Sequence, residues 1–216
     1  MRPAPAGFVL RVPESWFEFD IWRATRTGDL ARLIDSRIAE SPALAPQRGA
    51  LLKALRHAAA DAERQGAVFC AVMGELVEDA GMLAATAMVF HTEGAPDPDD
   101  NTVEAIAGQV TAVAPSPGSP HWRRVEIVEI PAGRAVRVQG IEAIGADGRG
   151  TDCVLTQTLI PVPGDSEVPD NGVLNNGVLN ITLISPQVEL ADAMLDLFDA
   201  ISSTLDWSAQ ATASQA

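Results

Sequence analysis

Two stretches of this chain, RVEIVEIP (124–131) and RAVRVQGI (134–141), alternate apolar with polar residues and are separated only by Ala132-Gly133. A period of two is that of a β-strand with one buried face. Two such strands joined by a two-residue link pair antiparallel, because a parallel pair needs a crossover of a dozen residues or more. An antiparallel hairpin is therefore fixed near the middle of the chain, and the fold has to be built around a sheet. AVFCAVMGEL (67–76) and MLAATAMVFH (82–91), joined through VEDAG, read as a second hairpin. CVLTQTLIPVPG (153–164) reads as a long strand, with VLNITLI (178–184) as its partner.

Helical periodicity sits at the two ends of this sheet-forming region. Leu30, Leu33, Ile34 and Ile38 recur on one helical face, with Asp29 near the positive end of the helix dipole. Ser41-Pro42 ends that helix, since the residue before proline avoids helical dihedrals. A second helix is expected from about 45 to 65, with Leu51, Leu52, Leu55, Ala58, Ala59 and Ala62 as its apolar stripe and Gly66 as its stop. TVEAIAGQV (102–110) reads as a short helix opened by Asn101 or Thr102. Near the C-terminus Leu190, Met194, Leu197, Phe198, Ile201 and Leu205 recur at steps of three and four, with Ser185 as the expected cap, Pro186 in the first turn, and Trp207 as an anchor beyond.

The chain repeats NGVLN at 171–175 and 176–180. From Gly177 onward, Leu179, Ile181 and Leu183 point one way and Val178, Asn180 and Thr182 the other. A five-residue repeat inverts its faces when continued along one strand. At least one copy therefore belongs to a loop, and Asn-Gly at the start of each is a hairpin-turn signal. The repeat reads as a duplication that lengthened one hairpin loop.

GFVLRVP (7–13) and WFEFDIW (16–22) are short and β-like and read as an opening hairpin. Alternation in the second puts Phe17 and Phe19 inward. Trp16 and Trp22 then share the other face with Glu18 and Asp20, where they are either covered by the helical pair or form a partner-docking patch. Tryptophan is enriched where binding energy concentrates, so Trp16 and Trp22 are the candidate partner-binding residues.

The sum is an α+β fold: a mainly antiparallel sheet of about six to eight strands packed against an N-terminal helical pair and a C-terminal amphipathic helix. It is expected as a single domain over 7–207, with 1–6 and 208–216 as flexible termini. The order is an aromatic-marked opening, a helical pair, a meander, a long strand ending IPVPG, a partner strand ending Ser185-Pro186, and a closing helix ending LDW. In this it resembles a set of actinobacterial proteins of the PsbP-like α/β/α sandwich. Relatives of that fold include a photosystem extrinsic subunit, a Ran-binding import factor and adaptor chaperones for secreted toxins. The resemblance implies a domain that binds proteins rather than catalysing a reaction, and it carries over no site residues.

Charge and composition narrow the function classes. The 216 residues carry a net charge of −14, and the 15 basic residues are all arginine except Lys53. Such a field repels nucleic acid and anionic membranes. No run approaches the ~18 apolar residues of a membrane-spanning helix, and the start lacks the apolar core of a signal peptide. A cytoplasmic setting is expected. Cys70 and Cys153 fall in apolar strand-like runs and read as buried free thiols.

Catalytic signals are sparse. His57, His91 and His121 are far apart in sequence, and no HExxH or CxxC accompanies them. His91 with Asp97, Asp99 and Asp100 reads as a solvated acidic loop rather than a cation site. Gly145, Gly148 and Gly150 precede a strand and not a helix, so the geometry of a dinucleotide loop is missing. No GxSxG elbow occurs. The expectation is a non-catalytic protein-binding or adaptor module with no cofactor and no metal. A small-molecule or lipid carrier with a pocket between sheet and helices is the alternative, and an enzyme with an unrecognised site the second.

Overall fold

The computed structural model describes residues 7–21, 28–77, 81–112, 121–144, 150–163 and 177–208. Trp22, the first NGVLN copy and Gly145 and Gly148 lie outside them.

The centre is a seven-stranded antiparallel sheet. Its strands are β2 (Phe17–Glu18), β3 (Ala67–Val77), β4 (Gly81–Thr92), β5 (Trp122–Ile130), β6 (Gly133–Ile144), β7 (Thr151–Pro161) and β8 (Val178–Ser185), in the order β2-β3-β4-β8-β7-β6-β5. Both expected hairpins form, β3 with β4 and β5 with β6. The β5–β6 turn places Gly133 at φ 128°, a backbone region open to glycine. β8 pairs with β7 as expected, and also inserts beside β4, joining the two hairpins into one sheet.

Helices α1 (Asp29–Glu40), α2 (Arg48–Gln65), α3 (Val103–Thr111) and α4 (Ala191–Ser202) complete the layers. Leu30 and Ile34 of α1 and Leu51, Leu55, Ala59 and Ala62 of α2 pack with Cys70, Val72 and Met88 on one sheet face. Val103 and Ile106 of α3 pack on Val136 and Val138 at the far end of the same face. Met194, Phe198 and Ile201 of α4 pack on Leu179, Ile181 and Leu183 on the opposite face. The fold is thus the expected α+β arrangement, with the sheet covered on both sides. Alternation along β8 is as read: Leu179, Ile181 and Leu183 are fully buried, facing away from Asn180.

Three elements differ from the sequence reading. The opening hairpin does not form. β1 (Gly7–Val9) pairs instead with β9 (Asp206–Ser208) in a separate two-stranded sheet, and β2 pairs with β3. Local alternation reports strand character but not the partner, and here the partner lies at the other end of the chain. The second helix begins at Arg48, because Pro42–Gln47 winds as a 3-10 turn containing Pro46. Ser185 closes β8 rather than capping α4: a 3-10 turn over Val188–Leu190 intervenes, and the Ser185 hydroxyl donates to the carbonyl of Ala84. Gly66 ends α2 at φ 72°, the expected left-handed stop.

Candidate functional site

The two helical covers on the α1–α2 face do not meet. The α1–α2 pair lies over β2, β3 and β4, while α3 lies over β5 and β6. Between them runs a groove of about 680 Å3, floored by the central strands. Its wall is α2, through Ala58, Asp61 and Gln65. Its floor is Thr86, Met88 and Phe90 of β4, Asn180, Thr182 and Ile184 of β8, and Gln157 of β7, with Ile144 on the far lip.

A second hollow of about 250 Å3 lies next to the first, between α2 and the strands β2, β3 and β4. The two share Ala58 and Thr86. This inner part is nearly all apolar, lined by Ala50, Leu51, Ala54, Leu55, Phe17, Val72 and Ala84. Ala50, Ala54 and Ala58 recur every four residues, so they form one stripe down α2. Each stops at a methyl group; Ala50 and Ala54 are exposed, while Ala58 is half-buried. Gly74 serves the same space from the sheet: a Cβ there would come within 3.0 Å of Leu51 Cδ2.

The outer groove is where hydrogen bonding is available. Gln157 and Thr182 stand directly opposite each other on β7 and β8. The Thr182 hydroxyl donates to Asn180 Oδ1 at 3.2 Å. Among the described lining residues the one carboxylate is Asp61, and it is ion-paired to Arg64. No arginine or lysine is among the described lining side chains. His91 also lines it, and the arrangement suits an elongated ligand with an apolar part and a hydrogen-bonding part.

A second polar cluster sits on the opposite face, under α4. Arg137 and Gln139 of β6 are buried, and Asp199 of α4 reaches both. Gln139 Nε2 donates to Asp199 Oδ1 at 2.8 Å, and Arg137 Nη1 lies 3.2 Å from Asp199 Oδ2. Arg124 donates to Gln139 Oε1. Burial raises the pKa of Asp199, and the Arg137 guanidinium works against that shift. Thr156, Thr158 and Ser202 are fully buried nearby, with hydroxyls that have no hydrogen-bond partner among the described residues. Both Asp199 oxygens are engaged, and no described histidine takes part in these bonds. The cluster fixes α4 to the sheet rather than presenting a base to a substrate.

Of the candidate partner-binding residues, Trp16 is 4 % exposed and belongs to the α4-side core. Trp16 is thus unavailable to a partner. Its neighbour Phe17 is buried on the α1–α2 side. Alternation does separate the two rings, but both faces of the sheet are covered, so neither points to solvent. Phe17 also carries the Arg37 guanidinium 5.4 Å above its ring centre. Trp22 lies outside the described residues.

The remaining sequence candidates stay apart. Cys70 and Cys153 are free and buried, as expected. Burial pushes the Cys70 thiol up to about 12, and burial followed by the Asp152 charge raises Cys153. Neither is a thiolate at neutral pH. His57 is exposed on α2. His121 Nε2 lies 2.8 Å from Asp152 Oδ1 at the edge of the sheet. Among the described residues no three His, Cys, Asp or Glu side chains converge as a metal site. No described helix is long and apolar enough to cross a membrane.

No protein-family model matches the chain, and no curated protein sequence matches it. Among solved structures it is similar to LpqN, a protein involved in cell envelope biogenesis of Mycobacterium tuberculosis. The identity is 10%, over 96% of this chain and 86% of that one, with a TM-score of 0.48. Likeness of that degree assigns no function.

Proposed function

We propose that the protein is a non-catalytic carrier of a small amphipathic molecule. The apolar part of the ligand lies beneath α2 against the Ala50, Ala54 and Ala58 stripe. Its uncharged polar part lies over Gln157, Asn180 and Thr182. The observation that supports this most is the adjacency of the two hollows, an apolar recess and a groove with a hydrogen-bonding floor that share Ala58 and Thr86 in their linings. Absence of chemistry and a cytoplasmic setting belong to the same proposal. The adaptor reading has lost Trp16, and its remaining form is an extended peptide of another protein lying in this groove.

The first test is binding of N-phenyl-1-naphthylamine, an uncharged fluorescent amphiphile. Wild type should bind it saturably. Ala58→Leu should weaken binding at least tenfold, about 1.4 kcal/mol, with the melting temperature held or raised because a hollow has been filled. Non-saturable binding, or equal binding by both proteins, would overturn the carrier reading. Native mass spectrometry of protein purified from its own host would then separate a retained small molecule from a retained peptide.

A further inference from the structure

We infer that β5 is a pairing edge for a second copy of this chain, aligned antiparallel with Val125 on the two-fold axis. β5 is a nine-residue strand at one end of the sheet, and no described strand pairs with its outer side. An edge of that length presents a row of backbone donors and acceptors. It also carries two of the six large hydrophobic side chains that are most exposed among the described residues, Trp122 at 38% and Ile127 at 43%.

The sequence of β5 is what selects a second copy over an unrelated strand. A two-fold axis normal to the sheet keeps each face of one copy continuous with the same face of the other. Residues that meet must then have the same parity, which leaves only a few registers. With Val125 on the axis, Arg124 of each copy stands opposite Glu126 of the other, giving two opposite-charge pairs and no like-charge pair. Trp122 then meets the second copy's Val128, and Ile127 meets the stem of Arg123. Centring on Arg124 or Glu126 sets a charge against itself. Centring on Ile127 pairs no opposite charges. Cross-strand pairs of opposite charge stabilise and like pairs destabilise, so β5 is self-complementary in one register. Arg124 and Glu126 already lie 3.7 Å apart within the strand, and exchanging partners between copies costs neither charge its counterpart. The groove is on the opposite side of β6 and stays open in the pair.

Sedimentation velocity from low micromolar to several hundred micromolar tests this directly. The expected result is a concentration-dependent monomer–dimer equilibrium. Arg124→Glu and Glu126→Arg should each weaken it at least tenfold, and the double variant, which restores opposite charges in the same register, should return to within about threefold of wild type. Ile127→Lys, at an exposed position that the fold does not need, should weaken it as well. It serves as the test if either charge variant melts early, since Arg124 also holds Gln139. A chain monomeric over the whole range, or a dimer indifferent to all three single substitutions, would overturn the inference.

Discussion

Burial raises the pKa of Asp199 and Arg137 lowers it, with burial the larger effect. The consequence for stability follows from linkage. A carboxyl whose folded pKa lies above its unfolded value binds its proton more readily in the folded chain. Its contribution is full below the unfolded value near 3.8 and is lost as the pH rises through the raised folded value. Asp199→Asn keeps an acceptor for Gln139 and Arg137 without the charge. It should therefore flatten the pH dependence of stability in the acidic range above 3.8, and at pH 7 be at least as stable as wild type. Asp199→Ala removes the acceptor as well, leaving buried Gln139 Nε2 without its partner, and should fall below the Asn variant by about 1–3 kcal/mol. The side chain is 34% exposed, which screens the charge effect but not the lost acceptor. Urea denaturation of the three proteins from pH 4 to 7 decides this; an Asn variant that loses as much as the Ala variant at pH 7 would show that the ion pair outweighs burial. None of this cluster was legible in the sequence. Arg137, Gln139, Thr156 and Thr158 occupy inward positions of strands that alternation identifies correctly, but alternation alone assigns polar residues outward. Alternation puts Trp16 on the face opposite Phe17, either covered by the helical pair or open to a partner; it is covered, but by the α4-side core and not by the helical pair.

At the scale of elements, the hairpins, the long strands and the helices were legible because each is declared by residues close together. α3 is a case in which one side chain sets the boundary. Thr102 Oγ1 accepts from the amide of Ala105 at 3.3 Å, and the Thr102 hydroxyl donates to the carbonyl of Asp99 at 2.9 Å. Glu104 stands in the first turn, and its pKa is lowered first by its own backbone amide and then by Arg134. Thr102→Ala should cost about 1 kcal/mol. Because α3 is nine residues long and packs through Val103 and Ile106, the loss should appear mainly as faster hydrogen exchange of its amides, with β6 and β7 little changed. Uniformly faster exchange over the sheet would mean that α3 unfolds only with the whole domain. The groove was far less legible. Its lining comes from α2, β4, β6, β7 and β8, from Ala58 to Ile184, and no local pattern joins them. The one signal in the sequence was the spacing of Ala50, Ala54 and Ala58, which reads as a helix face but does not say that nothing fills the space beside it.

For the molecule as a whole, the ends of the chain are tied together by pairing that no local reading finds. β1 and β9 set Phe8 opposite Trp207, and Thr204 Oγ1 accepts from the amide of Arg11 at 2.9 Å. Trp207 extends this clasp onto the main sheet: its indole Nε1 donates to the carbonyl of Ala132, in the β5–β6 turn, at 2.8 Å, while its ring packs against the α4-side core. β9 thus reaches both β1 and the β5–β6 hairpin. Two substitutions separate the bond from the packing. Trp207→Phe keeps most of the apolar ring and loses the donor, and should cost about 1 kcal/mol. Trp207→Ala loses both and should cost about 2–3 kcal/mol, less than the ~3–5 of a fully buried tryptophan because this one is half-buried. Denaturant midpoints give both values. The groove lies on the other face of the sheet, so probe binding measured well below the unfolding transition should be unchanged in either variant. If both substitutions cost the same, the hydrogen bond to Ala132 and not the ring holds the C-terminal strand in place; if binding falls with Trp207→Ala, the two faces of the sheet are coupled through its central strands.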